Sequence, residues 1–520
     1  MQYSNNARNM LAKGMKTLND AVAVTIGPKG RNVVVCNKEG QPYIINDGIT
    51  IANEIQLQNK IHNTGVSLVR QATSQTNTIA GDGTTTATLL AYSIVKQGLI
   101  NIDSGSNPTM IRNGITKATK FLIDLVSQYA IPIKNLEFIA AVAKISAGNN
   151  HEIGQLVANA ISKIGKDGII NLEEGRSINT ELEISDGFNF QNGFISPYFL
   201  SKSKNGSIVQ ENTYLLLWGD KINSVEKEII PIFNKFKKLQ APLLIIAKDF
   251  SKEVVSTLVV NTMKGNTNIA AIKVPGFGDQ GDLFLEDLAI FSGGSVLSSE
   301  RGVTTQNLGI NHLGNIKKAI ITKDSTTFIN DKNEAAINHR CEMLLKQIQR
   351  SDSMYEKQKL QNRLSQLTSN VATIKVGAIT EVDMRDKKLR IEDAINATQS
   401  AILEGVVPGG GMTLLHLSKD LSRWANKNLS GDELTGANIV VKALELPSKQ
   451  IINNAGENGS QVIQKLKMLS FNNGYDALEK KIVNMYKLAI LDPAKVTRSA
   501  IQNASSIANI ILSTDCVILN

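Results

Sequence analysis

Six consecutive residues, Gly81-Asp82-Gly83-Thr84-Thr85-Thr86, combine what a phosphate group needs, and an apolar run follows them directly. Glycines let the backbone reach φ > 0 and approach an anion closely. Threonines at a helix start add hydroxyls and unpaired N–H groups to the positive end of the helix dipole. An acid among anion donors makes sense where Mg²⁺ bridges it to the phosphate. The same six residues also read as an ordinary turn with a threonine N-cap, and local pattern leaves both readings open.

Three more glycine clusters carry related signals. Thr25-Ile26-Gly27-Pro28-Lys29-Gly30-Arg31-Asn32 either cradles phosphate or stops a helix with a Pro-Gly turn. Gly405 to Gly411 (GVVPGGG) disfavours a regular helix and permits close approach of a ligand or another backbone. Gly276-Phe277-Gly278-Asp279-Gln280-Gly281 matches GxGxxG between a strand and a helix, and Glu300 lies at the distance expected of a ribose acid. Pro275 at the strand end and the lack of a second mononucleotide half argue against a dinucleotide site. Asp393 lies in a helical stretch whose buried stripe is Ile391, Ile395 and Ile402. At about 100° per residue it points away from that stripe, so a solvated acid is the plainer expectation. The sharper one is an acid aimed at a neighbouring domain's ligand.

Other catalytic signatures are missing. Gly165-Lys166 is followed by Asp167, so there is no Walker A loop, and His151-Glu152 ends in Gln155 rather than completing a zincin motif. No GxSxG occurs.

The elements that must hold these groups follow from periodicity. Leu11, Met15, Leu18 and Val22 mark a helix that stops at Gly27-Pro28. Val33 to Val35, a turn at Asn37 to Pro42, and Ile44-Ile45 predict a hairpin. Helical spacing resumes from Thr84. The middle changes character: strands at Leu243 to Ala247 and Ala270 to Val274 alternate with helices at Ser251 to Met263 and Leu283 to Phe291, the mark of an α/β domain. Residues 334 to 370 predict an antiparallel helix pair, and past Gly377 the pattern is helical to the end. The α/β segment is thus an insertion between two helical halves that pack as one domain.

Length and composition set the outer limits. A chain of 520 residues is too long for one core, and 42% hydrophobic with 20% charged residues is ordinary for a soluble protein. The net charge of +9 has no dense basic run behind it: Lys387, Lys388 and Arg390 are interleaved with Asp386, Glu392 and Asp393. Nucleic acid is therefore not an expected partner. Cys36, Cys341 and Cys516 form no CxxC pair, which fits free thiols in a reducing compartment. No secretory h-region and no apolar run of about 18 residues appear, so no membrane is expected. The excess of Ile, Asn and Lys points to an AT-rich genome such as that of a plastid or an endosymbiont.

Taken together the loops resemble the group I chaperonins, the GroEL family. The resemblance rests on TIGPKGRNV (Thr25 to Val33), NDG (Asn46 to Gly48), AGDGTTTAT (Ala80 to Thr88) and SPYF (Ser196 to Phe199). LVVNTM (Leu258 to Met263), PGFGD (Pro275 to Asp279), EGVVPGGG (Glu404 to Gly411) and LDPAKVTRSA (Leu491 to Ala500) follow in register. It spans essentially the whole chain and accounts for the GxGxxG match as a turn.

The resemblance implies a mainly helical equatorial domain from both chain ends (1–128 and 404–520). It also implies a small α/β intermediate domain (129–185 and 372–403) and an α/β apical domain (186–371). By the same resemblance, Thr25, Ile26, Gly27, Pro28 and the run Gly83, Thr84, Thr85, Thr86 would hold the phosphates of ATP, with Asp82 on Mg²⁺. Asp47 and Asp393 would position and activate the attacking water. Gly410 and Asp492 would meet the ribose, Asp476, Ala477 and Ile490 the adenine, and K⁺ would sit near Thr25 and Thr85. Non-native proteins would bind at Phe194, Tyr198, Phe199, Ile230, Phe233, Val255, Leu258, Val259 and Val260. The implied partners are those proteins, a lid-like co-chaperonin of the GroES type and further copies of the chain in two stacked seven-membered rings, in a plastid stroma or a bacterial cytoplasm. Departures from the family pattern are Ser400, Leu403, Pro408, Asn46, Asp476 and Leu478.

Overall fold

The computed structural model describes residues 2–36, 42–45, 47–133, 135–165, 168–175, 177–200, 206–236, 241–264, 268–276, 278–298, 308–330, 333–350, 353–368 and 370–518. The expected turn at 37–41, Asn46, Phe277 and Glu300 lie outside these residues. The fold combines helical packing with α/β sheet, as the sequence implies. The chain separates into two compact units, one from 1–162, 172–181 and 375–520, the other from 163–171 and 182–374. The segments expected as an intermediate domain fall largely within the first.

The first unit is built from helices drawn from both halves of the chain. Ser4–Ala23 buries Leu11, Met15, Leu18 and Val22, and packs against Lys60–Ala80 and Thr84–Asp103. From the far end of the sequence, Ala494–Leu512 packs on Lys60–Ala80, Thr84–Asp103 and Pro108–Tyr129, and Gly431–Ala443 packs on Pro108–Tyr129. One hydrophobic core runs from Ala7 to Val517. The strands Gln2–Tyr3 and Cys516–Val517 pair antiparallel, and Arg8 clamps them by donating to the Thr514 carbonyl at 2.7 Å and the Asp515 carboxylate at 2.9 Å. The predicted hairpin is present as Val33–Cys36 and Pro42–Ile45. Helices Leu136–Ser146 and Glu381–Glu404 also pack together in this unit.

Two strand pairs interrupt the C-terminal half that periodicity reads as helical throughout. Val406–Pro408 pairs with Leu491–Pro493, and Asn473–Asp476 with Lys481–Asn484. These strands are three and four residues long, too short to show a period-2 pattern.

The second unit is organised by a sheet in the order 181–190, 326–329, 314–321, 208–222, 243–250, 269–273, with Val296–Leu297 also on 208–222. One side is antiparallel and the other parallel. Ile208–Ile222 explains why this strand escaped sequence reading. Its first half mixes exposed and buried positions against an antiparallel partner, whereas Leu215 to Trp218 are buried in succession where parallel neighbours begin. Lys252–Met263 starts at Ser251, whose hydroxyl accepts from the Val254 N–H, and Asp279–Ser292 starts at Gly278 after the edge strand 269–273. The expected helix pair is Glu334–Arg350 and Met354–Leu367. Arg340 and Arg363, one from each helix, clasp the buried Asp287 carboxylate of helix 279–292 at 2.8 and 2.7 Å.

Candidate functional site

The turn between helices 60–80 and 84–103 is where glycine is obligatory. Gly81 caps the first helix at φ 72° and Gly83 starts the second at φ 83°, both in the left-handed region. A Cβ on Gly81 would stand 2.2 Å from Cβ of Asn396, so helix 381–404 passes directly over this turn. Ser400 of that helix fastens it there, donating to the Ala80 carbonyl at 2.8 Å. The N–H groups of Thr84, Thr85 and Thr86 are the first of their helix and have no intrahelical acceptor.

These residues face a cavity of about 450 Å³ within the first unit, a volume suited to a small-molecule ligand. Thr25, Ile26, Gly27, Pro28, Asp47, Asp82, Gly83, Thr84, Thr85, Thr86, Asp393, Gly410, Asp476, Ala477, Ile490 and Asp492 all line it. The Thr25 loop is held from two sides. Its threonine hydroxyl donates to the Val22 carbonyl at 2.8 Å, and Asn454 Nδ2 donates to the carbonyls of Ala23 at 3.0 Å and Ile26 at 2.9 Å. At the opposite wall, Asp476 closes the 473–484 hairpin by accepting from the Leu478 N–H at 2.9 Å. The hydroxyl of Tyr475 is buried without a hydrogen-bond partner among the described residues.

Five aspartates enter one cavity, and their environments differ. Asp47 is the N-cap of helix Gly48–Glu54, accepting from the N–H groups of Ile49 and Thr50 and from the Thr50 hydroxyl at 2.6 Å. Asp82 accepts from the Ser146 hydroxyl at 2.6 Å and from the Gly83 N–H. Burial lifts its carboxyl above the usual range and repulsion from Asp47 adds to this, while the two hydrogen bonds pull it back. Asp492 pairs with Val407 across a short ladder beside the GGG turn. Burial, helped by Asp82, pushes it up to about 7 against the N–H groups of Gly410 and Gly411. Asp393 stands well above the ordinary carboxylate range, first through burial and then through the charges of Asp82, Asp47 and Glu392.

That last environment corrects one expectation. Asp393 does point away from the stripe of Ile391 and Ile395, yet it meets a cavity rather than solvent, because helix 136–146 and the Gly81 turn roof it over. The sequence reading missed Ser146, Asn149, Arg390, Tyr475 and Ile451, which also line the cavity. The only local hint was the small, turn-forming run Ser146-Ala147-Gly148-Asn149-Asn150 between two helices.

A cation would find a suitable but incomplete site. Asp82 offers a carboxylate beside the helix start that would hold phosphate, while no group of three or more His, Cys, Asp or Glu side chains among the described residues forms a metal cage. Such a donor set fits Mg²⁺ shared with a ligand's own oxygens.

The second predicted cluster does not survive as a single exposed surface. Phe194, Phe199, Leu258 and Val259 are buried in the core of the second unit, with Leu258 fully inaccessible. Tyr198, Ile230 and Val260 are 66%, 44% and 47% exposed, and Phe233 and Val255 are half-buried. The physical reason is the sheet: helix 252–263 must present one face to strands 243–250 and 269–273, and Val254, Leu258 and Val259 form that face.

Comparison with known proteins gives a consistent result. The model of the TCP-1/cpn60 chaperonin family matches residues 18–520. The chain is 51% identical over 516 residues to chloroplastic chaperonin GroEL of Gracilaria tenuistipitata var. liui, covering 99% of this chain and 98% of the other. The crystal structure of the chaperonin gp146 from the bacteriophage EL 2 (Pseudomonas aeruginosa), obtained in the presence of ATP-BeFx, superposes with a TM-score of 0.72 at 20% identity. That likeness covers 100% of this chain and 98% of gp146. Among the described residues no helix is long and apolar enough to cross a membrane.

Proposed function

Because the chain belongs to the TCP-1/cpn60 chaperonin family, we propose that it is an ATP-hydrolysing subunit of a ring-shaped chaperone that binds non-native proteins and promotes their folding. The observation that carries this reading is the convergence of the Thr25 loop, the Gly83–Thr86 helix start and the carboxylates of Asp82, Asp393 and Asp47 on one cavity.

Chemistry follows from that arrangement. The triphosphate lies against the N–H groups and hydroxyls of Thr84 to Thr86, with the base and ribose toward Asp476, Ala477, Ile490, Gly410 and Asp492. Mg²⁺, when bound, would neutralise phosphate charge, with Asp82 and phosphate oxygens holding it; K⁺ would take oxygens of Thr25 and Thr85. Asp47, fixed by three hydrogen bonds, orients a water beside Asp393. The water oxygen bonds to the γ-phosphorus as the bond to the β–γ bridging oxygen breaks. That oxygen leaves on ADP with the electron pair, and the water proton passes to Asp393. An acid lifted by burial is a stronger base than an exposed one, which suits this role.

Exposed apolar side chains on the second unit, Tyr198, Ile230 and Val260 with the flanking Phe233 and Val255, supply the surface for unfolded chains. Two stacked rings of seven subunits, a GroES-type lid and a plastid stroma complete the proposal, the last supported by the chloroplastic relative.

The test is ATP turnover by the purified protein, electron microscopy with and without ATP, and refolding of a denatured enzyme. Ring particles that change shape with ATP and raise refolding yield are expected. Binding of unfolded protein with no ATP turnover would mean a passive holdase instead.

A further inference from the structure

The cavity described above is lined by five carboxylates, those of Asp47, Asp82, Asp393, Asp476 and Asp492. Among its described lining residues there is one cationic side chain, Arg390. A triphosphate entering this space meets repulsion from whichever of these acids are ionised, and a single divalent cation cannot offset every phosphate oxygen. The position of the one guanidinium therefore decides which phosphate the protein reads.

Arg390 is set by helix 381–404. It lies three residues before Asp393, so both side chains leave the same face of the helix toward the cavity. One end of its guanidinium is anchored: Nη2 pairs with Asp386 at 3.1 Å, one turn earlier. Nη1 lies over Gly148, 4.0 Å from where a Cβ on that glycine would be. The remaining donor, Nε, is buried and has no hydrogen-bond partner among the described residues. It lies on the Nη2 edge behind the pair with Asp386, so Nη1 is the donor within reach of a ligand. With Nη2 anchored on Asp386 and Nη1 beside Gly148, another lining residue of the cavity, the outer end of the fork is the part an oxyanion can meet.

We propose that Arg390 recognises the terminal phosphate of the bound nucleotide and makes the site selective for a nucleoside triphosphate over the diphosphate. The inference rests on the proposed ATP chemistry, because proximity to Asp393 places the guanidinium at the phosphate under attack. Charge that develops on the γ-phosphate oxygens as the bridging bond breaks falls beside it. Arg390 and Asp393 share one helix face, so the electrophile's clamp and the water's base are delivered together.

The experiment uses the full chain with Mg²⁺ and measures affinity for ADP alone and for ADP with beryllium fluoride, which mimics a γ-phosphate, alongside ATP turnover. In Arg390→Ala the gain in affinity from beryllium fluoride is expected to shrink about tenfold or more. Affinity for ADP alone should stay within about threefold, and turnover should fall by at least tenfold. Arg390→Lys keeps a charge that can pair with Asp386 but loses the planar fork, so it should keep part of the turnover while losing most of the discrimination. If Arg390→Ala does not fold, this second variant decides. Equal weakening of both ligands, or unchanged discrimination, overturns the proposal, since a purely structural partner of Asp386 would act on both alike. An unaltered protein with no ATP binding or turnover would instead remove the functional reading itself.

Discussion

The Ser146 hydroxyl donates to Asp82 Oδ2 at 2.6 Å, and Ser146 Oγ also lies 3.1 Å from the carbonyl oxygen of Asp393. One small side chain at the end of helix 136–146 thus joins Asp82, beside the Gly81–Thr86 turn, to the backbone of Asp393 on helix 381–404. Ser146→Ala removes the donor that holds the Asp82 carboxyl down. Stability of the unliganded protein should fall by about 1–3 kcal/mol, the cost of leaving a buried acceptor unsatisfied. The Mg²⁺ concentration for half-maximal turnover should rise, because a more easily protonated Asp82 competes with metal. Denaturant titration and a Mg²⁺ titration check the two parts; unchanged curves in both would show the bridge to be idle.

Asp393→Asn should leave ATP affinity within a few-fold and cut turnover by about 100-fold or more, the usual contribution of a positioned base. The pH profile adds a second readout. Asp393 is held well above the normal carboxylate range, and only its ionised form accepts the water proton. Turnover of the unaltered protein should therefore climb with pH along a limb displaced above that range. A limb at the position of an ordinary exposed aspartate would assign the base elsewhere.

Asp492 provides a stability test with a defined sign. Its folded pKa of about 7 lies above the ordinary aspartate value of 3.8, so the folded state binds a proton that the unfolded chain has released between those values. That contribution is full below the unfolded pKa and disappears as pH rises through about 7. The unliganded protein should lose stability across this window, by up to about 4 kcal/mol for this one group. Asp492→Asn keeps an acceptor for the Gly410 and Gly411 N–H groups without the charge. It should flatten the slope and raise stability at neutral pH, as urea midpoints at several pH values would reveal.

Neighbouring positions on helix 252–263 separate surface from core. Val260→Ser, at a position 47% exposed, should weaken capture of an unfolded protein while changing stability by less than about 1 kcal/mol. Leu258→Ala, fully buried, should cost about 2–5 kcal/mol with no specific effect on capture by the protein that remains folded. Paired binding and thermal-melt measurements distinguish the two; a melt that drops equally for both would place Val260 in the core.

What could be read in advance divides along physical lines. Gly81 to Thr86 was legible because its chemistry is local: residue types, a helix start and an adjacent acid lie within one turn. The helical bundle was legible because Leu11, Met15, Leu18 and Val22 repeat at 3.6 residues. Asp393 gave the correct direction and the wrong surroundings, since periodicity states which way a side chain leaves its helix and nothing about what waits there. Ser146 and Arg390 carried no motif at all; their meaning comes from elements more than 60 and 300 residues away from Asp82 in sequence. Val254 to Val260 are apolar nearly throughout, so the sequence of helix 252–263 could not say which face the sheet would cover.

The pairing of strand 2–3 with strand 516–517, and of helix 494–512 with helices 60–80 and 84–103, has a consequence for biosynthesis. On the ribosome the first unit lacks part of its core until residues 494–517 emerge, whatever the first 160 residues have already formed. The inserted unit of residues 182–374 needs almost nothing from the C-terminal segment and is complete while that segment is still being translated. A stalled or truncated product therefore carries the exposed Tyr198, Ile230 and Val260 of a finished second unit beside an unfinished first one, and on the proposed function it should behave as a trap for other unfolded chains.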